Sequence, residues 1–169
     1  MSFAPSAPTY VLNQKLMSLS GDLWIDDGNG NHVFEVDRKM LVVRRTLFLE
    51  DPSGNPLYEI NQSIAHIHQT FEIKRGDQIV ATVQKALVNI LGDHFTITAA
   101  DGEKLAVTGD WIDREFHVTR GGVDVIFASR RLLSIRDSYG VQVAPGFDVP
   151  LALAIIVALE QMELEDRGN

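Results

Sequence analysis

The sequence predicts a mainly β protein, a sandwich or a closed barrel of about a dozen strands, with one buried helix near its C-terminal end. Three observations support this prediction. Glycine stands beside Asn or Asp at regularly spaced turns, and a single uncharged apolar run covers residues 149–159. A strand–turn–strand unit recurs every 24 residues, opening at Leu23, Leu47, Phe71 and Phe95.

Each repeated unit predicts a β-hairpin. Residue type alternates on both sides of each turn, as in strands with one buried face, and glycine supplies the positive φ that tight turns need. The four turns contain Gly30, Gly54, Gly76 and Gly102. The segments that link the units recur in step with them and are predicted as further strand. They are residues 15–19, 39–43, 63–67 and 85–90.

Two weaker units follow the four repeats. Residues 116–119 are predicted to turn at Gly121 and Gly122 into residues 123–127. Residues 133–136 are predicted to turn near Tyr139 and Gly140 into a last strand over residues 141–143. Closure into a barrel is favoured over a sandwich because it removes exposed strand edges.

The C-terminal segment predicts one helix over residues 149–162. Asp148 suits the N-cap position, and Pro150 suits the first turn. The helix is apolar on every face, so it must be surrounded by protein or lipid. Its uncharged run is short of the roughly 18 residues that indicate a membrane span. At about 1.5 Å per residue the helix is roughly 22 Å long, which suits the core of a small barrel.

Three stretches resemble the LURP-one-related family: residues 10–16, residues 109–116, and residues 135–143 leading into the apolar helix. The resemblance spans residue 10 to about residue 163. That family is similar in fold to the tubby C-terminal domain and to phospholipid scramblases. The resemblance therefore implies a closed antiparallel barrel of about twelve strands, threaded by the C-terminal helix.

One domain over residues 10–163 is expected, with a flexible N-terminal tail over residues 1–9 and a polar C-terminal tail over residues 164–169. The chain has 169 residues, no cysteine and a formal net charge of −8. Absence of cysteine excludes disulfides and thiolate chemistry and fits a reducing compartment. The first nine residues lack the pattern of a signal peptide, so a soluble cytoplasmic protein without a transmembrane segment is expected. The negative charge weighs against nucleic-acid binding.

The acidic stretch over residues 26–31 predicts a hairpin turn and not a calcium loop. With Asp27 as the first ligand, the position that needs glycine is His32, and the position that needs a carboxylate is Arg38. Motifs for a catalytic serine, a zinc protease or a nucleotide phosphate loop do not occur in the sequence. Neither a catalytic residue nor a cofactor is therefore predicted.

Histidines and two further aspartates are the other candidates for metal binding. His66 and His68 would share a face of a strand, with His94 or His117 as a third ligand, yet hydrogen-bonded or solvated histidines are favoured. Asp137 and Asp148 bracket the entry to the helix, where the scramblase resemblance implies a proposed calcium region. The helix-cap role is favoured for Asp148, so no metal site is predicted.

Four basic pairs are the candidates for binding an anionic lipid headgroup. They are Arg38 and Lys39, Arg44 and Arg45, Lys74 and Arg75, and Arg130 and Arg131. Tubby domains bind phosphoinositides through exterior Lys and Arg, and the resemblance extends that expectation to these pairs. Neighbours in a strand point to opposite faces, so each pair offers one residue to a common patch. A solvated surface with compensating carboxylates is favoured.

Three classes of function stay open at this point. The leading hypothesis is a non-catalytic binding or interaction module, because a barrel filled by a helix leaves no interior cavity for substrate. The second is a domain that binds phosphoinositide headgroups and tethers to a membrane. The third is an enzyme with a surface cleft. The partner is expected to be a protein or an anionic lipid headgroup, and not a nucleic acid.

Overall fold

The computed structural model describes residues 7–13, 23–41, 44–63, 69–85, 93–110, 115–129 and 138–167. These residues form twelve strands and one helix. The elements are β1 (Thr9–Asn13), β2 (Leu23–Asp26), β3 (His32–Leu41), β4 (Arg44–Glu50), β5 (Pro56–Gln62), β6 (Thr70–Arg75), β7 (Gln78–Lys85), β8 (Asp93–Ala99), β9 (Lys104–Asp110), β10 (Glu115–Arg120), β11 (Val123–Ser129), β12 (Ser138–Val143) and α1 (Val149–Arg167).

The strands form one closed antiparallel barrel. Each strand pairs with its neighbours in the sequence, and β1 pairs with β12 to close the sheet. The prediction of a closed barrel is confirmed, and a sandwich is not formed. Among the described residues, no helix combines the length and the apolarity needed to cross a bilayer.

The repeat is preserved in the hydrogen bonds of the first two hairpin turns. In each turn an aspartate Oδ1 accepts the backbone N–H groups two and four residues later, at 2.8 and 3.0 Å from Asp27 and at 2.9 Å for both from Asp51. The asparagine four residues later donates its side chain to Oδ2 at 2.9 Å in both turns. Gly30 and Gly54 complete the turns with φ of 83° and 82°. The hairpin turn predicted over residues 26–31 is thus confirmed.

The helix α1 fills the barrel. Every residue from Ala152 to Met162 is buried, and the inward faces of the strands pack around it. A hydrogen bond of 2.9 Å from the Leu151 N–H to Asp148 Oδ1 confirms Asp148 as the N-cap. The helix continues to Arg167, past the predicted end at residue 162 and into the expected polar tail. At the other terminus, Thr9 already belongs to β1.

The predicted turn near Tyr139 and Gly140 is wrong. Both residues lie within β12, where Tyr139 pairs with Leu12 and Gly140 pairs with Val11. Gly140 also pairs with Ser129 of β11, so ladders on both sides hold this glycine extended. Residues 144–148 connect β12 to α1, and Gly146 in this connection has a φ of 84°. Residues 133–136 lie outside the described residues.

Little of the predicted linking strand falls within the described residues. Lys39, Met40 and Leu41 end β3, and Lys85 ends β7, as predicted. Ser63 follows β5, and its N–H donates to the Thr70 carbonyl at 2.8 Å. Residues 15–19, 64–67 and 86–90 lie outside the described residues.

Because the strands run alternately up and down, the barrel has two ends that carry different connections between strands. One end, called the turn end below, carries the hairpin turns at residues 27–31, 51–55, 76–77, 100–103 and 121–122 together with the starts of β1 and α1. The opposite end carries the end of β3, the start of β4 and the end of β7. Because neighbouring strands are antiparallel, the odd-numbered strands begin at the turn end and the even-numbered strands finish there.

Gly109 allows β9 and β10 to approach closely. It pairs with Phe116 and has a φ of 143°. A Cβ atom at this position would lie 2.2 Å from the Glu115 carbonyl oxygen and 2.6 Å from the Phe116 Cα atom. Only glycine fits here without a backbone shift.

Candidate functional site at the turn end of the barrel

Three polar side chains from distant parts of the chain meet where α1 begins. The Tyr58 hydroxyl donates to Asp148 Oδ2 at 2.7 Å, and Arg75 Nη2 donates to the same oxygen at 2.9 Å. Arg75 also donates to the Tyr58 hydroxyl, and its guanidinium carbon lies 4.9 Å from the centre of the Tyr58 ring. Since the other oxygen of Asp148 caps the helix, this cluster fastens α1 to β5 and β6.

The environment of Tyr58 keeps its hydroxyl protonated. Burial raises the pKa of Tyr58 to about 12, and the hydrogen bond and negative charge of Asp148 act in the same direction. The positive charge of Arg75 opposes them with a smaller effect. At neutral pH the Tyr58 hydroxyl is therefore a hydrogen-bond donor and not a base.

A small cavity lies on another side of the same helix start. Its volume is about 130 Å³, and its walls include Val80, Leu105, Arg120, Phe147 and Leu151. The Arg120 guanidinium carbon lies 5.2 Å from the Phe147 ring centre, and its Nε atom lies 3.2 Å from Glu103 Oε2. Ligand pockets usually measure about 300–1,000 Å³, so this cavity is too small for an organic ligand.

A larger open groove lies beside β1, the β2–β3 turn and the start of β3, and it is called the β1–β3 groove below. Its volume is about 850 Å³, and it is lined by residues 7–11, residues 26–30, Val33 and Phe34. The Tyr10 and Phe34 rings lie 6.3 Å apart at an angle of 54°. Below the groove, β1 joins β2 through the pairs Val11–Asp26 and Leu12–Ile25.

Two carboxylates lie along the rim of the β1–β3 groove. Hydrogen bonds from the Asn31 side chain and backbone, with further backbone bonds from the turn, hold the pKa of Asp27 below its usual value. Asp26 Oδ1 is hydrogen-bonded to His32 Nδ1, and the His32 ring stacks on Trp24 with 4.9 Å between ring centres. Burial raises the pKa of Tyr10, and the charge of Asp27 adds to this effect. The groove thus combines neutral aromatic rings with negative charge.

The family model described as LURP-one-related matches residues 8–160 of the chain. The chain belongs to the LURP-one-related family. The crystal structure of a protein from Arabidopsis thaliana is similar in fold, with a TM-score of 0.69 and 19% sequence identity. The match covers 93% of this chain and 92% of the Arabidopsis chain. No curated protein matches the sequence.

This LURP-one-related barrel divides the predicted basic residues between its two ends. Arg38, Lys39, Arg44 and Arg45 lie at the opposite end, in the β3–β4 ladder that pairs Lys39 with Thr46 and Leu41 with Arg44. Lys74 and Arg75 end β6 at the turn end. Arg130 and Arg131 lie outside the described residues.

Lys74 and Arg75, the two predicted basic residues that lie at the turn end, contact carboxylates. Lys74 Nζ lies 3.9 Å from Glu72 Oε2, and Arg75 bonds Asp148 as described above. Both side chains are partly exposed, so these ion pairs contribute little to stability individually. They nevertheless reduce the positive charge that this end of the barrel presents to an anion.

The predicted metal candidates are not brought together in the part of the chain that the structure describes. His66, His68 and Asp137 lie outside it, and His94 belongs to β8. His117 Nδ1 lies 2.9 Å from Asp124 Oδ2, and its ring stacks on Phe127 with 4.7 Å between centres. Within the described ranges, no three His, Asp or Glu residues are placed to hold a metal ion.

Sequence reasoning missed both the groove and the polar cluster at the helix start. Tyr10 and Phe34 lie on β1 and β3, which flank β2, and their approach depends on the register of the β1–β2 and β2–β3 ladders. Tyr58, Arg75 and Asp148 come from three elements with no local pattern in common. The even spacing of the hairpins was the available signal, because it places every turn at one end of a closed meander.

Proposed function

We propose that the protein is a non-catalytic binding module whose β1–β3 groove receives a partner. The observation that carries this proposal is the burial of α1 from Ala152 to Met162, which fills the interior of the barrel. In open barrels the interior holds the ligand, whereas a filled barrel offers only its outer surface and its ends. The groove of about 850 Å³ at the turn end is a concave surface of suitable size.

The aromatic side chains in the walls of the groove suit binding of a protein partner. Aromatic side chains are enriched in protein interfaces because they bury a large area with few rotatable bonds. Tyr10 and Phe34 supply two such rings on β1 and β3, the two strands that flank β2 in the closed barrel. Strands held on both sides by ladders move little, so the groove is largely formed before a partner arrives.

The polar groups of the groove favour binding over catalysis. Asp27 accepts three hydrogen bonds from its own turn, and these bonds keep it ionised and fixed. Tyr10, with its raised pKa, stays protonated at neutral pH. A general base and a general acid near neutral pH would require the opposite shifts.

Site-specific photo-crosslinking tests this proposal. Phe34 is replaced by p-benzoylphenylalanine, and Val123, which is 67% exposed at the start of β11, receives the same residue as a control. We expect one defined adduct from position 34 in an extract of the source cells and none from position 123. The captured molecule, once purified, should bind Tyr10→Ser at least tenfold more weakly than the unaltered protein. Equal crosslinking from both positions would count against the groove.

The second candidate function is binding of an anionic lipid headgroup at the opposite end. The observation that favours it is the β3–β4 ladder, which collects Arg38, Lys39, Arg44 and Arg45 on two adjacent strands. Clustered guanidinium groups bind phosphate through paired hydrogen bonds. The net charge of −8 opposes approach to an anionic surface, so this function ranks second.

A further inference from the structure

We infer that the β1–β3 groove takes an extended protein segment that carries a Lys or Arg beside an apolar side chain. This inference rests on the proposed function and names the chemistry of the partner. Its first support is charge complementarity. The described residues that line the groove include Asp26 and Asp27 and contain no Lys or Arg.

Both carboxylates keep acceptor capacity for a cation from a partner. A carboxylate has about four acceptor sites on its two oxygens. Asp27 uses three of them within its turn, two on Oδ1 and one on Oδ2. Asp26 Oδ1 contacts His32, and no bond to its Oδ2 atom is formed within the described residues. An ammonium or guanidinium group of a partner can therefore bind either carboxylate without breaking the turn.

The aromatic walls suit the rest of such a segment. The Tyr10 and Phe34 rings contact each other at 54° with 6.3 Å between their centres, and both line the groove. Ring faces attract both aliphatic side chains and the positive end of Lys or Arg. Trp24 is 38% exposed and stacks on His32, so it extends the aromatic surface beyond Asp26.

The shape of the groove favours an extended chain over a free cation. Its volume of about 850 Å³ is near the upper end of ligand pockets, and its lining runs from Ala7 along β1 and the β2–β3 turn to Phe34. Aromatic-lined grooves that bind extended, proline-containing segments work in this way, with one pocket for each contacting side chain. A single ammonium ion would leave most of this surface uncovered.

The β4–β5 turn provides a matched control for the charge of Asp27. Asp51 makes the same three hydrogen bonds in its own turn and has a pKa lowered by the equivalent asparagine, Asn55. It does not line the groove. Asp27→Asn and Asp51→Asn therefore perturb equivalent turns equally, and only the first removes charge from the groove.

Selection from a random heptapeptide library tests the inference. The unaltered protein is immobilised, and selected peptides are measured against it, against Asp27→Asn and against Asp51→Asn. We expect the peptides to be enriched in Lys or Arg next to aliphatic or aromatic residues. Their dissociation constants should rise about tenfold in Asp27→Asn and stay unchanged in Asp51→Asn, since hydrogen bonds to charged groups are strong. Affinity should also fall when salt is raised.

The other outcomes separate this inference from the proposed function. Peptides without an excess of cations that still lose affinity in Tyr10→Ser would overturn the inference and leave the groove as a binding site. If argininamide displaces a bound peptide as well as an unlabelled peptide does at equal concentration, the cation alone accounts for binding. That result would overturn the inference that the groove takes an extended segment. If no selected peptide depends on Tyr10 or Asp27, the inference is wrong, and photo-crosslinking at position 34 decides the proposed function independently.

Discussion

The Tyr58 hydroxyl donates a hydrogen bond of 2.7 Å to Asp148, a residue 90 positions later in the chain. This bond joins the wall of the barrel to the cap of the helix that fills it. One oxygen of Asp148 faces the wall and the other caps α1, so the same carboxylate sets both the position and the start of the helix.

Tyr58→Phe should lower the free energy of unfolding by about 1–3 kcal/mol, because the hydroxyl donates to Asp148 and accepts from Arg75, and each bond contributes about 0.5–1.5 kcal/mol. The ring and its contact with the Arg75 guanidinium are retained, so the loss reports the two hydrogen bonds of the hydroxyl. Urea denaturation measures it. Combined with Asp148→Asn in a double-mutant cycle, the two losses should not add, because the residues are directly bonded. Simple additivity would show that the bond contributes nothing.

Ionisation of Tyr58 should destabilise the protein at high pH. The pKa of Tyr58 is raised to about 12 from an ordinary value of 10. A group whose pKa is raised on folding contributes stability that is fully present below the unfolded pKa and is lost as pH rises through the folded pKa. The contribution should therefore persist below pH 10 and disappear between about pH 10 and 12. Thermal unfolding in this range should show a smaller decline for Tyr58→Phe than for the unaltered protein.

Gly109→Ala should lower the free energy of unfolding by at least about 2 kcal/mol, because the new Cβ meets the backbone of Glu115. Gly102→Ala is the matched control, since Gly102 has a φ of 86° and open space around it. Gly102→Ala should lower the free energy of unfolding by about 1 kcal/mol, because alanine is strained at this positive φ. Equal losses in the two variants would contradict the close approach of β9 and β10.

Gln161→Met should leave stability unchanged or increase it. Gln161 is buried within the barrel, and its Nε2 atom has no hydrogen-bond partner within the described residues. Replacing a buried donor of this kind by an apolar side chain of similar size removes a desolvation cost. Leu159→Ala, on the same helix, should instead cost about 2–5 kcal/mol. A large loss in Gln161→Met would reveal a polar contact of this side chain.

Liposome co-sedimentation distinguishes the two candidate functions. At physiological salt, where the Debye length is about 8 Å, we expect no preference for phosphoinositide liposomes over neutral ones. The net charge of −8 opposes approach. Headgroup-selective pelleting that is abolished by Arg44→Glu together with Arg45→Glu would reverse the ranking. A matched variant, Lys104→Glu at the turn end, should have no effect in either case.

The sequence predicted those parts of the fold that depend on interactions between residues close together in the chain. The turns at Gly30 and Gly54 depend on glycine and on an aspartate within five residues, and the helix start depends on Asp148. Gly140 carried a similar signal, but strand ladders on both sides override it. The candidate site could not be predicted, because the contact of Tyr10 with Phe34 across β2 depends on strand register, which no local pattern in the sequence gives.

The burial of α1 also sets an order for biosynthesis. Translation runs from the N-terminus, so all twelve strands emerge before the residues that fill the space between them. Their inward faces, from Leu12 to Val143, have no core to cover until the helix has been made. Nascent domains whose contacts are local can fold as they appear, whereas here the last element is needed by nearly every other. The barrel therefore completes only after residue 162 has left the ribosome, and until then the apolar inward faces of its strands lack the helix that covers them.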